Sequence, residues 1–529
     1  MDAAYSYVNA VNLAQGRGFV EDFIWNYLGQ PDLPPQPSHL YWMPLTSILA
    51  GLGMLIGGVS YRAAQLPFVF LSALLAPISY EAARVLSGQR RLGWLAGILA
   101  IFSGFYFPYW TAIDNFTPFA VTGSLALLTA WYAIERVSES ANQPRSVANE
   151  RMANEYISPQ IHNSPFTIHY SISFFLSGLL AGLAHLSRAD GALLLFAIIF
   201  FNLQRIMLFN VQRSTLCASR LPPLASLLTL LGYFIVMMPW FIRNWQVVGT
   251  PLPAAGSQTI WLQNYDELFS YGRELSTQTF LAQGIGPILQ GRWWALTLNL
   301  QTVLATWGMI FLTPLAFVGG WRLRRHSLAQ LAGWYGLLLF GAMTLVFAFP
   351  GARGGLFHSG AALLSFIYGS ALVGLDSAVE WIAARRRRWQ AATAKRVFGL
   401  GLVGLAILLS CYIYYGRVLK DNGWNRADSQ YPAIAAWVAQ RNPAAIVMIG
   451  NPPAYRYHGG GLSVVVPNEN LETTLEAAHQ FKVEYLILDY NHPAPLNPVY
   501  RQPQNQPNLT LVQTFSDGAD NPIYIFEIK

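Results

Sequence analysis

The sequence predicts a polytopic α-helical membrane protein with a C-terminal extracytoplasmic α/β domain. Three observations support this fold class. The chain of 529 residues is 53% hydrophobic and only 11% charged, whereas a soluble domain has roughly 25% charged residues. Apolar stretches of about 20 residues, the length that crosses a bilayer, alternate with short basic loops. After Tyr415 the composition changes to that of a soluble domain.

Basic residues are concentrated in five clusters between the apolar stretches. Short loops rich in Lys and Arg stay in the cytoplasm, so these clusters orient the predicted spans, and the loops between them face outward. More than half of the 33 Lys and Arg residues belong to the clusters. They are Arg84, Arg90 and Arg91; Arg136, Arg145 and Arg151; Arg205, Arg213 and Arg220; Arg322, Arg324 and Arg325; and 385–388 with Lys395 and Arg396.

The apolar stretches predicted to span the membrane alternate from an outward start and leave the C-terminal tail outside. A shorter stretch at 44–58 is predicted to be interfacial or re-entrant, because counting it as a span would place Arg84 outside. The predicted spans lie near 62–86, 92–109, 116–134, 168–186, 191–208, 221–241, 303–320, 328–349, 356–375 and 397–415.

Two domains are expected, a transmembrane domain over 1–415 and a soluble α/β domain over 416–529. Because the chain starts with a polar segment and its first loop must lie outside, a preceding first transmembrane helix is expected to be missing. In the second domain, alternating and β-branched patterns predict strands. The helices are predicted at 432–440 and 471–481, and the strands at 445–450, 462–466, 485–489, 509–515 and 524–528.

Several function classes are disfavoured by composition and motifs. The net charge of +7 lies in short loops between apolar stretches, which predicts contact with membrane lipids and no nucleic-acid binding. The two cysteines, Cys217 and Cys411, predict no disulfide framework. No HExxH or Cys/His cluster is present, so a closed structural zinc site is not expected.

The outward loops contain the candidate functional residues. An ionisable group at the membrane edge is costly unless it has a partner or a function, so Asp114, the only charge in the second outward loop, is a candidate; it could equally cap the next helix. In the first outward loop, Tyr5, His39 and Tyr41 are candidates for binding a sugar or acceptor. The alternatives are a hydrogen-bonded loop histidine and an interfacial aromatic belt.

Six ordered motifs resemble the GT-C superfamily of integral-membrane glycosyltransferases, in particular the protein O-mannosyltransferase and lipid A aminoarabinose transferase branch. The similarity covers most of 2–375. Its motifs are an acidic residue followed by Tyr (Asp2, Tyr5), a Gly-x-Gly-Phe step (16–19), a His/Pro-Leu segment (His39, Pro44, Leu45), the second-loop Asp114, and two further pieces, Leu186-Ser187-Arg188-Ala189-Asp190-Gly191 and Pro239-Trp240-Phe241-Ile242-Arg243-Asn244.

The resemblance implies an inverting transfer of a sugar, a hexose or a pentose, from a polyprenyl-phosphate donor to a lipid, glycan or protein acceptor on the outer face of the plasma membrane. Asp2 matches the family's catalytic acid in the first loop and would act as a general base. Asp114 matches the acid in the second loop, which would orient the acceptor or a metal. This chain has Ala3 where many members carry a second acidic residue. A divalent metal is compatible with the resemblance, but no ligand set is identified.

A departing phosphate requires positive charge, and arginine supplies bidentate donors for it. Arg243 and Arg353 lie in outward segments close to predicted spans, and His358 follows Arg353, so these three residues are the candidates for binding the donor phosphate. Both arginines could instead extend to lipid headgroups. A helix-end ion pair is the simplest role for Arg188 and Asp190.

Two other functions fit the same composition. Charged residues near spans also line transport paths, so a transporter is one alternative; against it are the absence of a visible internal repeat and the large soluble tail. A non-catalytic membrane assembly protein is the other. It would tolerate loss of both Asp2 and Asp114.

Overall fold

The computed structural model of the protein describes residues 2–142, 165–212, 221–263, 265–386, 388–420, 423, 428–517 and 519–529. Its first part is a helical bundle. The longer helices are α1 (Asp2–Ala14), α2 (Leu45–Gly57), α3 (Tyr61–Ala73), α4 (Leu75–Ser87), α5 (Arg90–Ile101), α6 (Phe116–Asn142), α7 (Pro165–Ser187), α8 (Ala192–Gln212), α9 (Leu221–Val248), α10 (Ile285–Gln301), α11 (Thr313–Arg322), α12 (Ser327–Gly341), α13 (Leu364–Ala383) and α14 (Ala391–Tyr414).

Within the described residues, six helical segments are long and apolar enough to cross a membrane, which confirms the predicted membrane protein. Large apolar side chains such as Phe70, Trp94 and Leu408 are exposed, as expected where the solvent is lipid. The six segments are Tyr61–Ser87, Phe116–Arg136, Leu224–Val248, Ser327–Val346, Ala348–Ala383 and Ala391–Leu419.

The predicted spans 92–109 and 303–320 are not continuous helices. Helix α5 ends at Ile101, and Gly104, with φ 62°, begins a short 3-10 turn that ends at Tyr109. The stretch 303–320 is interrupted where Met309 and Ile310 have positive φ. Hydropathy detects both stretches as apolar, but it does not detect breaks that are stabilised by tertiary contacts.

Helices α11 and α13 approach each other closely through a pair of glycines. A Cβ atom on Gly319 would lie 1.7 Å from the Ser370 carbonyl oxygen, and one on Gly374 would lie 1.9 Å from the Leu315 carbonyl oxygen. Small residues at such crossings let the two backbones touch, as is typical of helix packing in membranes. This pair therefore fixes α13, the helix that follows the His358 segment.

The two ends of the bundle differ in chemistry. At one end, Asp376 of α13 pairs with Arg91 of α5 and lies 3.8 Å from Lys395 of α14, which also pairs with Glu380. At the other end lie Asp114 and the segments between α7 and α8 and after α12. The predicted basic clusters that are described thus lie at the end opposite to Asp114.

The C-terminal part is an α/β domain, as the sequence predicted. Helices α15 (Tyr431–Arg441), α16 (Pro452–Tyr457) and α17 (Leu471–Gln480) pack on a six-stranded sheet with the order β2-β5-β4-β6-β8-β7. Strands β4 and β6 are parallel neighbours, and β8 is antiparallel to both β6 and β7. The strands of this part are β4 (Ile446–Ile449), β5 (Ser463–Val465), β6 (Val483–Leu488), β7 (Leu509–Ser516) and β8 (Pro522–Ile528).

One strand of this sheet comes from the first loop, between α1 and α2, which the sequence predicts to face outward. The loop contains β1 (Val20–Glu21), β2 (Phe23–Ile24) and β3 (Gln36–Pro37), and β1 pairs with β3. Strand β2 pairs in parallel with β5 of the C-terminal part. The first loop therefore contributes a strand to the sheet of the C-terminal part. Local periodicity in the sequence does not predict this strand, because β2 is only two residues long.

Candidate functional site

Asp114 lies in a rigid turn at the start of α6. Thr117 donates a hydrogen bond to the Trp110 carbonyl oxygen at 2.5 Å, which closes the turn. The Asp114 side chain is 9% exposed, and its Oδ1 accepts the Asn115 backbone N–H at 2.6 Å. A carboxylate is favoured at a helix N-terminus, where the helix dipole is positive. Asp114 is thus fixed at the beginning of α6, one of the helices long and apolar enough to cross a membrane.

His358 is brought to this turn from far along the chain. Its Nδ1 lies 2.6 Å from Asn115 Oδ1, and its ring stacks on Phe116 with centroids 3.8 Å apart. Because an amide oxygen only accepts, Nδ1 carries the proton, and Nε2 is left for another partner. Gly354, which has φ of 124°, lies beside the ring, since a Cβ atom there would be 4.0 Å from His358 Nε2. Asp114 and His358, predicted separately, therefore lie together.

The segment between α7 and α8 completes this cluster. Arg188 Nε lies 3.0 Å from Asp190 Oδ1 and 3.0 Å from Ser359 Oγ, and Ser359 also donates to Asp190. Gly191 is required here, because a Cβ atom would lie 2.5 Å from the His185 backbone nitrogen. The helix-end ion pair of Arg188 and Asp190 is present and is tied to the residue next to His358.

A second cluster forms around the first loop and includes Tyr5 of α1, His39 of the loop and Arg243 of α9. The Tyr5 hydroxyl accepts the His39 backbone N–H at 2.8 Å. Arg243 Nη2 donates to the carbonyl oxygens of Ser38, at 2.9 Å, and Phe19, at 3.3 Å, and its guanidinium lies 4.8 Å from the Trp240 ring centroid. Arg243 thus holds the loop against α9.

Both ring nitrogens of His39 are occupied. Nδ1 lies 2.8 Å from Ser38 Oγ, and Nε2 lies 2.9 Å from Ser47 Oγ. Burial, together with the charge of Arg243, lowers the pKa of His39 to about 3, so its imidazole is neutral. The side chain is 2% exposed. In this arrangement the histidine supports the loop.

Tyr41 connects the first loop to the segment that carries Arg353. Its ring packs edge-to-face on Trp25, with centroids 4.9 Å apart, and it belongs to an apolar cluster that contains Phe349. Arg353, four positions after Phe349 in the chain, is exposed. Tyr41 therefore contacts the segment that leads to Arg353.

Asp2 is the first residue of α1, and its side chain lies outside the described residues. Helix α1 itself passes next to the Asp114 turn, because Ala10 of α1 and Ile113 are buried in the same cluster. Tyr7 of α1 stacks on Tyr61 at 5.9 Å, and the charge of Asp114 acts on Tyr61. The segment of the first predicted acid is thus adjacent to the second.

Two acids in the first loop were not predicted as site residues. Glu21 is 4% exposed; its Oε1 accepts a hydrogen bond from Gln36 at 3.0 Å, and its Oε2 is buried with no hydrogen-bond partner among the described residues. Burial raises the pKa of Glu21 to about 8, and the neighbouring Asp22 contributes to this shift. The sequence signal was available, since these are adjacent acids in an outward loop next to the Gly-x-Gly-Phe step.

Asp22 fastens the first loop to the C-terminal domain. Arg17 binds both of its carboxylate oxygens, at 2.6 and 2.7 Å, and Arg456 of α16 binds one of them at 2.9 Å. Although burial opposes it, hydrogen bonding from Arg17 and the charge of Arg456 lower the pKa of Asp22. Tyr457 also contacts Tyr7 of α1, with ring centroids 5.1 Å apart. The C-terminal domain therefore packs against α1, the helix that passes next to the Asp114 turn.

The raised pKa of Glu21 predicts how folding stability depends on pH. The pKa is shifted from its ordinary 4.5 to about 8, so the folded protein keeps a proton that the unfolded chain releases within this window, and stability should fall as pH rises through it. We expect Glu21→Gln to flatten this slope and to be the more stable protein near pH 8. Thermal unfolding of purified protein between about pH 5 and pH 8 measures the slope. An unchanged slope, equal to that of the exposed control Glu274→Gln, would contradict the prediction.

No divalent-metal site is identified among the described residues. No group of three His, Cys, Asp or Glu side chains among them is placed to hold an ion. Both ring nitrogens of His39, in the first loop, are hydrogen-bonded to serines. No step of the chemistry below is therefore assigned to a metal.

No protein-family model matches the chain, and no curated protein matches it. Solved structures do. The archaeal oligosaccharyltransferase AglB from Archaeoglobus fulgidus, in complex with an inhibitory peptide and a dolichol-phosphate, has a TM-score of 0.55 at 14% identity and matches 92% of this chain. The chain spans 65% of the length of that protein.

A second similar structure has nearly the same length. ArnT from Cupriavidus metallidurans, bound to undecaprenyl phosphate, has a TM-score of 0.52 at 13% identity, and the match covers 99% of this chain and 93% of ArnT. The similarity therefore extends over the helical bundle and the C-terminal α/β domain together. The chain has the fold of the GT-C membrane glycosyltransferases, in agreement with the resemblance in its sequence.

Proposed function

We propose that this protein transfers a sugar from a polyprenyl-phosphate donor to an acceptor at the outer face of the plasma membrane, with inversion at the anomeric carbon. The observation that carries the proposal is the convergence of Asp114, Arg188 and His358 at one membrane edge of a GT-C fold. An acid, a cation and an imidazole in one place are what a displacement with a phosphate leaving group requires.

The reaction has one bond formed and one broken at the sugar. A hydroxyl or amine of the acceptor attacks the anomeric carbon, and its proton passes to a carboxylate. The bond between the anomeric carbon and the phosphate oxygen breaks, and polyprenyl phosphate leaves with both electrons. Asp2 is proposed as the base and Asp114 as the residue that orients the acceptor; a general base contributes typically about 10²- to 10⁴-fold to the rate.

Positive charge at the departing phosphate is proposed to come from the segment after α12. Arg353 is exposed there, and His358 keeps Nε2 available while Asn115 holds Nδ1. With Nδ1 donating to Asn115, the neutral imidazole presents Nε2 as an acceptor, so the proposed contact of His358 is with a protonated phosphate oxygen. Arg243 is proposed to act indirectly, by positioning the first loop through its bonds to Ser38 and Phe19.

The roles of the first loop and the soluble domain follow from their attachment. Tyr5 and His39 are hydrogen-bonded to each other in the loop core, so they are proposed to shape the acceptor side of the site, and Tyr41 to border it. The C-terminal domain is attached to the same loop by the ion pair between Arg456 and Asp22, which also pairs with Arg17. We propose that this domain faces the extracytoplasmic side and helps to select the acceptor.

If Arg353 binds the donor phosphate, its loss should affect the donor and not the acceptor. We expect Arg353→Ala to raise the donor concentration needed for half-maximal rate by about tenfold or more, the effect of one lost charge-assisted hydrogen bond. The acceptor requirement should stay within about twofold of wild type. Initial rates with each substrate varied in turn give both numbers. Equal effects on both substrates, or the same donor effect in the control Arg273→Ala, would argue against this role.

The proposed function is tested by sugar transfer with purified full-length protein. A panel of polyprenyl-phosphate sugars is offered beside the corresponding nucleotide sugars, with a membrane extract as the acceptor source. Transfer from a lipid-linked donor alone is the expected result. Folded protein that uses only nucleotide sugars, or that transfers from neither class, would show the proposal to be wrong.

A further inference from the structure

Arg188 is the cation of the proposed site, but no group of the donor or acceptor has yet been assigned to it. Its Nε is hydrogen-bonded at 3.0 Å to both Asp190 Oδ1 and Ser359 Oγ. The Arg188 side chain is 18% exposed, and that of Asp190 is 8% exposed. Nearly buried charges are normally paired, so the pair could be structural only. The details of its geometry indicate more than that.

The pair leaves the terminal nitrogens of Arg188 unused. Among the residues that the structure describes, neither Nη1 nor Nη2 of Arg188 has a hydrogen-bond partner, and neither is sealed from solvent. The same chain shows the alternative, because Arg17 binds Asp22 with both Nη atoms. Arg17 thus uses both terminal nitrogens to bind the carboxylate, whereas Asp190 and Ser359 bind Arg188 only through its Nε. They orient the guanidinium group and leave its Nη1 and Nη2 donors for a ligand.

A second observation points to a missing ligand. The Tyr335 side chain is fully buried, and its hydroxyl has no hydrogen-bond partner within the described part of the chain. Its helix, α12, packs against the segment Leu356–Gly360, which contains Ser359. An unpaired buried hydroxyl is costly, and a ligand oxygen bound at Arg188 would supply an acceptor in this cluster.

We propose that Arg188 is a phosphate-binding residue, oriented by Asp190 and Ser359, with its two terminal nitrogens directed at two phosphate oxygens. A planar guanidinium matches phosphate in this bidentate way. The phosphate belongs to the polyprenyl carrier, because the residue lies at the end of apolar helices where a lipid headgroup is located. The inference rests on the proposed function for the identity of the carrier, but it concerns binding and does not require transfer.

The test is lipid binding by the purified full-length protein in detergent. Three probes are used: undecaprenyl phosphate; undecaprenol, which has the same chain without the phosphate; and inorganic phosphate as a competitor. We expect Arg188→Gln to weaken the binding of undecaprenyl phosphate by about tenfold or more, the effect of losing charge-assisted hydrogen bonds. Binding of undecaprenol should be unchanged. Arg188→Lys keeps the charge but loses the planar guanidinium group. Its affinity for undecaprenyl phosphate should therefore lie between those of wild type and Arg188→Gln.

Asp190→Asn separates this role from a purely structural ion pair. If the pair serves only folding, Arg188→Gln and Asp190→Asn should lower the unfolding temperature alike. The ratio of the affinity for undecaprenyl phosphate to the affinity for undecaprenol should then be unchanged in both variants. If Arg188 binds phosphate, Asp190→Asn should keep most of that ratio, since the arginine remains. If Arg188→Gln does not fold, the ratio in Arg188→Lys decides: an undiminished ratio overturns the proposal, and a reduced one supports it.

The source of the phosphate is decided in the same experiment. One outcome would assign the site to free phosphate and overturn the lipid assignment. In that outcome, inorganic phosphate binds to wild type but not to Arg188→Gln, while both proteins bind undecaprenyl phosphate equally well. Loss of the binding of undecaprenyl phosphate would support the proposal even if the protein transferred no sugar. The failure of the two proposals is therefore distinguishable.

Discussion

Asp114→Asn is expected to abolish sugar transfer while the protein still folds and binds polyprenyl phosphate. The carboxylate is 9% exposed, and its Oδ1 accepts the Asn115 backbone N–H at 2.6 Å. An asparagine side chain keeps an oxygen for this bond, so the turn before α6 should persist. What is lost is the negative charge next to the acceptor. We expect the initial rate to fall by about 10²-fold or more, the usual contribution of a catalytic acid or base.

The control for this experiment is Asp32→Asn, the same substitution at an exposed position of the first outward loop. It should leave the rate near that of wild type. Both variants are checked for monodispersity and for undecaprenyl phosphate binding before their rates are compared. Transfer by Asp114→Asn at the wild-type rate would remove Asp114 from the chemistry, and equal loss in both variants would point to a general effect of charge.

Gly319→Ala is expected to prevent correct packing of the bundle. The added Cβ would lie 1.7 Å from the Ser370 carbonyl oxygen of α13, which is a backbone atom and cannot rotate away. Helices α11 and α13 must then separate, and overpacking of this kind costs about 1–3 kcal/mol or more of folding free energy. The yield of monodisperse protein and its unfolding temperature should both decrease strongly.

The neighbouring glycine provides a matched control. A Cβ atom on Gly320 would meet no atom within 4 Å, and both residues lie inside the same helix. Gly320→Ala should therefore leave yield and unfolding temperature unchanged, or raise the latter slightly, because alanine favours helix. If both variants behave alike, the close crossing of α11 and α13 is incorrect.

Much of the fold could be predicted from local pattern. Apolar length and the positions of arginine predict the bundle, and alternation of apolar residues predicts the C-terminal strands close to their observed bounds. The breaks near Gly104 and Met309 could not be predicted in this way, because they depend on partners elsewhere in the fold. Thr313, for example, closes the second break by donating to the Leu304 carbonyl oxygen at 2.5 Å.

The candidate site was predictable residue by residue but not as an arrangement. Asp114 and His358 are 244 positions apart by their numbers, and only the fold shows that Asn115 joins them. Chemistry singled out Arg243 as an outward arginine, yet its bonds to the Phe19 and Ser38 carbonyl oxygens become visible only when the first loop is folded against α9. Glu21 was missed because its burial, which raises its pKa, depends on contacts with Gln36 and Tyr5.

The central claim is tested most directly by measuring two products in one reaction. Purified protein in sealed vesicles receives a labelled polyprenyl-phosphate sugar and an acceptor, and both the sugar gained by the acceptor and the polyprenyl phosphate released are quantified. One carrier phosphate released per sugar transferred, by wild type and Asp32→Asn but not by Asp114→Asn, is the predicted result. Movement of the intact donor across the vesicle membrane without release, or no reaction by folded protein that binds the carrier, would contradict it.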